Sequence, residues 1–320
     1  MMTRLSLCVA LVVMPLLAMS AAAQSRAAPS PEVVSLVTND GVQLTLTYFP
    51  SAARRGSPEA KEVPPVVLLH DHKETRAIFN SLAQRLQTPA RDTGDVPSFA
   101  AVTVDLRGHG DSTKQVFPNG ETIELDAAKL RRDDFLAMVV MDMAAVRSFL
   151  VDKNDAGELN LNKLCLIGSG MGAGVAANWA LQDWSWPPLA IGKQGQDVKA
   201  LVLISPRWSY NGLSFQAPLR FRPLKESVAW MLVYGAEVPK LAADVRRIHK
   251  QLERFHPQPS AAAGAQSLST LQEVALKSKL QGSTLLRQGG EPIEANIVSF
   301  LIEHVAKQQY PWSNRRARLP

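Results

Sequence analysis

Four short stretches of this 320-residue chain carry side chains with chemistry to offer. His70-Asp71-His72 sets two imidazoles and a carboxylate side by side, and Asp105-Leu106-Arg107-Gly108-His109-Gly110-Asp111-Ser112 adds a third imidazole, two acids and a hydroxyl. Leu166-Ile167-Gly168-Ser169-Gly170-Met171-Gly172-Ala173-Gly174 is a glycine-rich run around one serine, and Tyr234-Gly235-Ala236-Glu237 places a carboxylate in a turn. Histidine with aspartate suits metal binding or proton transfer. A hydroxyl beside a base suits nucleophilic catalysis. A glycine-rich turn opening a helix suits an anion.

To act together, these stretches must lie at neighbouring ends of regular elements. Val33–Thr38 and Val42–Phe49 alternate apolar and polar residues around Asn39-Asp40-Gly41, a hairpin signal. Ser51–Glu62 is polar and reads as a loop. Val66–Leu69 is a continuous aliphatic run ending at His70, the pattern of a strand buried on both faces. Strands over Phe99–Asp105, Leu161–Ile167, Val198–Ile204 and Ala229–Tyr234 then alternate with helices over Ile78–Leu86, Arg131–Asp152, Met171–Leu181 and Pro239–Phe255. Gln258–Ser269 reads as a flexible insertion, Ser283–Leu286 as a last short strand and Pro292–Lys307 as a closing helix. The expectation is one α/β domain, a doubly wound, mostly parallel sheet with an antiparallel N-terminal hairpin. In such sheets ligands sit beyond the carboxyl ends of the strands. That places His70, Asp71, His72, His109, Asp111, Ser169, Gly170, Met171, Ser205, Arg207, Trp208 and Tyr210 at one mouth.

In this order the four stretches resemble the α/β-hydrolase family, over nearly all of Val33 to Lys307. The resemblance implies a nucleophile elbow of pattern G-x-S-x-G, in which the nucleophile adopts a strained backbone angle between small residues. Here the small residues are Gly168 and Gly172, so the nucleophile position is Gly170. Glycine tolerates the angle and has no Oγ. Ser169 is the fallback nucleophile, although that register sets Ile167 and Met171 where small side chains are needed. The family's histidine is expected after the last strand, where Leu286–Pro292 holds none. Glu237 is the nearest match to the acid. Backbone amides near Asp71 and of Met171 take the family's oxyanion-hole positions, and a carboxylate at Asp71 opposes an oxyanion there. Losing nucleophile or base in such a triad costs on the order of a millionfold in turnover.

The termini carry a different kind of signal. Arg4, the apolar run Leu5–Ala18 and Ser20-Ala21-Ala22-Ala23-Gln24 read as a signal peptide over residues 1–23, cleaved after Ala23, with an uncleaved anchor as the other reading. A linker (24–32), the domain (33–307) and a basic tail (308–320) with Arg315, Arg316 and Arg318 follow. Cleavage leaves Cys165 as the only thiol, so no intrachain disulfide can form. A net charge of +6, spread in pairs and without a recognition module, gives no nucleic-acid footprint. Export implies a secreted or periplasmic protein without stable membrane insertion.

Together these readings predict an exported, hydrolase-like protein without a working triad. Its role would be binding or structural, towards a small-molecule or protein ligand at an open cleft with no large lid. His70, Asp71, Ser169, Met171 and Trp208 are the candidate ligand-binding residues, and no cofactor is implied. The alternatives are an esterase or acyl hydrolase using Ser169, and, behind it, a metal enzyme using His70, Asp71, His72 and His109.

Overall fold

The strands that read as continuous aliphatic runs are buried along their whole length. These are β3 (Pro65–Leu69), β4 (Ala100–Val104), β7 (Leu164–Ser169), β8 (Val198–Ile204) and β11 (Ala229–Gly235). In the computed structural model, which describes residues 28–89, 98–187, 193–256 and 269–316, they pair in parallel in the order β11-β8-β7-β3-β4. The N-terminal hairpin, β1 (Glu32–Val37) and β2 (Val42–Phe49), joins this sheet through β2, antiparallel to β4. A second hairpin, β5 (Lys114–Val116) and β6 (Thr122–Glu124), extends the same edge and carried no sequence signal.

Helices cover both faces and split the core in two. On one face lie α2 (Arg132–Ala137), α3 (Met143–Asp155), α4 (Met171–Ser185) and α7 (Pro239–Leu252). On the other lie α1 (Asn80–Gln87) and α8 (Gly282–Leu301). Helix α7 shows the logic: Leu241, Ala242, Val245, Ile248 and Leu252 recur at helical spacing and are its buried residues. The helix expected over Arg131–Asp152 is continuous in direction but contains a wide π turn, Met138–Asp142, between α2 and α3. Its last residue, Asp142, is fully buried.

The C-terminal part of the expected plan needs correction. Ser283–Leu286 is helical, the first turn of α8. The last strand is β12 (Leu271–Leu276), paired in parallel with β11 at the sheet edge. Its alternating burial and Gln272-Glu273 pair hid it beside the Ala/Ser-rich segment before it. Most of that segment, like the signal peptide, lies outside the described residues.

Among the described residues no large lid covers the strand ends. Between β8 and β11 the chain forms only a small hairpin, β9 (Ser209–Tyr210) with β10 (Leu213–Ser214), and two short helices, α5 (Gln216–Arg220) and α6 (Arg222–Ser227). No helix among the described residues is long and apolar enough to cross a membrane.

Candidate active-site cleft

β7 ends at Ser169, and α4 begins at Met171. Between them Gly170 adopts φ 49° and ψ −103°, a combination that a residue with a side chain reaches only under strain. The glycines two residues to either side make room for this turn. A Cβ on Gly168 would run into the Gly172 backbone, and one on Gly172 into the Leu69 carbonyl. The register with Gly170 at the tip is therefore the one that the packing requires. A Cβ on Gly170 would overlap the carboxylate of Asp71.

That carboxylate fills the centre of the site. Oδ1 of Asp71 accepts the Met171 N–H at 2.7 Å and the His72 N–H at 2.8 Å. Oδ2 accepts from Nη2 of Arg207 at 3.1 Å. The Asp71 N–H in turn donates to Oε2 of Glu74 at 3.1 Å, and Glu74 is held through its other oxygen by the Ser283 hydroxyl. Both amides at the expected oxyanion-hole positions are thus spent on the chain's own carboxylates. An arriving carbonyl oxygen would have to compete with full negative charges for them.

The turns after β11 and β12 present Val238 and Gln281 to the cleft. After β12 the chain returns to the cleft at Gln281 and Gly282, so the base position lies here and not in Leu286–Pro292, where Gln288 is inside α8. Oε1 of Gln281 accepts from the Ser205 hydroxyl at 2.9 Å, and its Nε2 donates to the Gly235 carbonyl at 2.9 Å. The Gly282 N–H donates to Ser205 Oγ at 2.8 Å. A Cβ on Gly282 would sit 3.2 Å from Ser169 Oγ and 3.6 Å from Asp71 Oδ2, which shows how closely this loop approaches the elbow. Ser205 itself holds a left-handed φ of 50°. Glu237 is exposed, while its neighbour Val238 lines the cleft, so the turn directs an apolar residue inward and the carboxylate outward.

Of the five residues expected to bind a ligand, only Asp71 lines the cleft. Ser169 was expected at the mouth; it is fully buried, and its Oγ has no hydrogen-bond partner among the described residues. The Met171 side chain lies in the core. Trp208 stands to one side, with the Arg247 guanidinium 3.5 Å over its ring. His70 is fully buried: Nε2 accepts the Leu106 N–H at 3.1 Å, so Nδ1 carries the proton donated to the Asp71 carbonyl at 2.7 Å. Burial pushes its pKa down to about 4. Nε2 of His72 donates to the Ala127 carbonyl at 2.8 Å, leaving Nδ1 to accept from the Tyr210 hydroxyl at 2.9 Å. The His109 ring lies 4.9 Å from that of His70, tilted by 52°, and 5.5 Å from that of His72, edge to face. No group of three or more His, Cys, Asp or Glu among the described residues could hold a metal ion.

Much of the Asp105–Ser112 stretch is tied into the fold, while Gly108, His109 and Gly110 line a separate cavity and His109 Nε2 has no hydrogen-bond partner among the described residues. Asp105 accepts from Arg76 and from the Asp111 N–H, and the Ser112 hydroxyl donates to the Asp105 carbonyl while accepting the Thr45 N–H. Buried Arg107 forks onto Asp142 at 2.7 and 2.8 Å and reaches Asp40 at 2.7 Å. Nδ1 of His109 lies 2.9 Å from the Arg107 carbonyl, and burial lowers the His109 pKa.

The model of the alpha/beta hydrolase family matches residues 66–311, which contain the elbow, the motif at Asp105–Ser112 and the cleft. The chain belongs to this family. Among solved structures, α/β-hydrolase relatives share the fold at low identity. Dienelactone hydrolase from Anabaena variabilis is 15% identical, with 87% of this chain and 100% of that one covered and a TM-score of 0.54. The Pyrococcus furiosus esterase Pf2001 is 14% identical, covering 85% and 90%, at a TM-score of 0.51. Pyrococcus horikoshii acylaminoacyl peptidase is 13% identical, and 92% of this chain matches 44% of that one at 0.55. No curated protein matches.

Within this hydrolase frame the open cleft measures about 410 Å³. Asp71, Ser205, Gln281 and Gly282 line it together with Arg207 and Tyr210, opposite Val238, Lys240 and Leu241. Sequence reasoning missed Glu74, Gln281 and Gly282. No motif marks them, and the misplaced last strand moved attention ten residues downstream.

Proposed function

We propose that this chain is an exported, non-catalytic member of the hydrolase family that binds a ligand in its strand-end cleft. The observation that carries the reading is the Asp71 carboxylate, seated where an elbow side chain would project and hydrogen-bonded to the Met171 amide. With Gln281 and Val238 facing the site, there is no imidazole–carboxylate pair to activate a hydroxyl there. Burial of Ser169 behind Gly282 and Asp71 argues against that serine as a displaced nucleophile. Export rests on the leader over residues 1–23, and the secreted or periplasmic form would begin at Gln24.

Incubation with a fluorophosphonate probe, read by intact mass beside an active serine esterase, tests the reading. The expected result is an unlabelled folded protein with no turnover of p-nitrophenyl butyrate. A stoichiometric adduct mapped to Ser169 or another serine overturns it and makes the chain a serine hydrolase. The same mass measurement on protein recovered from the extracytoplasmic fraction checks the cleavage site.

A further inference from the structure

The strand-end cleft contains a cation held in a fixed orientation. Arg207 stands just after β8, where its Nη2 donates to Oδ2 of Asp71 at 3.1 Å and its guanidinium lies 4.9 Å from the centre of the Tyr210 ring. These two contacts set the plane of the fork. Arg207 makes no other ion pair among the described residues, and 40% of its side chain stays open on the cavity that it lines. A guanidinium has five N–H donors, so most of this fork is free for a ligand. Lys240, in the first turn of α7, lines the same cavity, is exposed and forms no ion pair among the described residues.

The carboxylates of the lining are better satisfied. Asp71 accepts from Met171, His72 and Arg207, and Asp244 accepts the Trp208 N–H at 3.1 Å. An arriving cation would find the lone pairs of Asp71 mostly taken and two positive groups beside them. An arriving anion finds donors that are not taken. Asp71 and Asp244 still limit its charge, because they repel a dianion about twice as strongly as a monoanion. Half-buried Val238 and buried Leu241 supply an apolar wall, and a volume of about 410 Å³ has room for a short hydrocarbon chain behind a charged head group.

We infer that the cleft takes an aliphatic monocarboxylate, with its head group on Arg207 and Lys240 and its chain along Val238 and Leu241. This rests on the reading of the cleft as a ligand site and gives that ligand a chemical class. The planar fork of an arginine matches the two oxygens of a carboxylate. Asp71 thereby has a second role: the carboxylate that fills the elbow also anchors the guanidinium that faces the ligand.

Calorimetric titration of the full chain with hexanoate, at constant ionic strength set by chloride, tests the assignment. Saturable one-to-one binding is expected, tighter than that of acetate by roughly fourfold for each methylene that reaches the apolar wall. Arg207→Gln should weaken it by about tenfold or more, the loss of a charge-assisted hydrogen bond. Val238→Asp should abolish it. Val238 is the N-cap of α7, a position that favours aspartate, so this variant keeps the fold while setting a like charge in the wall. Thermal melts check that both variants are folded. Absence of saturable heat with hexanoate, or binding unchanged in either variant, overturns the assignment. Binding of hexylamine without hexanoate would overturn the carboxylate and keep the cleft as a ligand site. No binding of hexanoate, hexylamine or hexanol would bring down the ligand-site reading as well.

Discussion

A single carboxylate decides the state of the elbow. Restoring a hydroxyl with Gly170→Ser alone should yield no fluorophosphonate adduct and a lower melting temperature. The new Cβ meets Asp71, and serine must hold a strained φ/ψ pair. Combining it with Asp71→Gly and Gln281→His frees the Met171 amide and returns an imidazole to the loop. Labelling at position 170 is expected in that triple variant if the hole is otherwise intact, and its absence there would mean that more of the site has diverged. Arg107 is the other decisive residue. Arg107→Ala leaves fully buried Asp142 without its fork, at a cost of about 3–5 kcal/mol, measurable by urea unfolding. A loss below about 1 kcal/mol, the ordinary surface range, would show that the network does not hold the motif together.

Among the elements, α8 and the C-terminal segment carry the surprises. Gly290 (φ 55°, ψ −148°) breaks α8, and Pro292 lies two residues beyond it. The closing helix legible from Pro292 is real, therefore, but an extra helical stretch precedes the break. A Cβ at Gly290 would meet nothing, so Gly290→Ala isolates backbone strain; about 1–3 kcal/mol of destabilisation is expected, and none would mean that the break relaxes freely. Side-chain amides of Asn160, Asn162 and Asn154 donate to the carbonyls of Tyr310, Pro311 and Ser313, laying the basic tail along the domain. Arg315→Ala should cost about 1–3 kcal/mol through Asp197 and hasten trypsin cleavage near the C-terminus. Unchanged proteolysis would show that the amides alone hold it.

For the whole molecule, buried histidines set the response to acid. Burial holds the pKa of His70, His109, His256 and His304 below the ordinary value of 6.5, His70 at about 4. In the window from about 6.5 down to 4 the unfolded chain binds protons at these positions that the folded chain refuses, so stability falls as pH falls. Asp183, raised to about 6 by burial and then by Asp197, and buried Asp142 act in the opposite sense but are fewer. The melting temperature should drop between pH 7 and pH 5. A flat or rising profile would place the histidines in wetter surroundings than their burial implies.

Periodicity and composition were sufficient for the parallel strands, the hairpin and the amphipathic helices, because burial on one or two faces writes itself into the order of apolar residues. Glycine at position 170 and small residues around it were legible for the same local reason, since a strained turn restricts residue type on the spot. Where β12 lies was not legible: it is an edge strand with one buried flank, and its pairing is settled by β11 across a long gap in sequence. With β12 went the true base position at Gln281. That Asp71 fills the elbow, that Glu74 caps its amide and that Arg315 reaches Asp197 are contacts between residues up to 118 positions apart. Sequence named Asp71 and Arg315 but neither Glu74 nor Asp197; only the packing of strand ends and the return of the C-terminal segment decided which charge meets which amide.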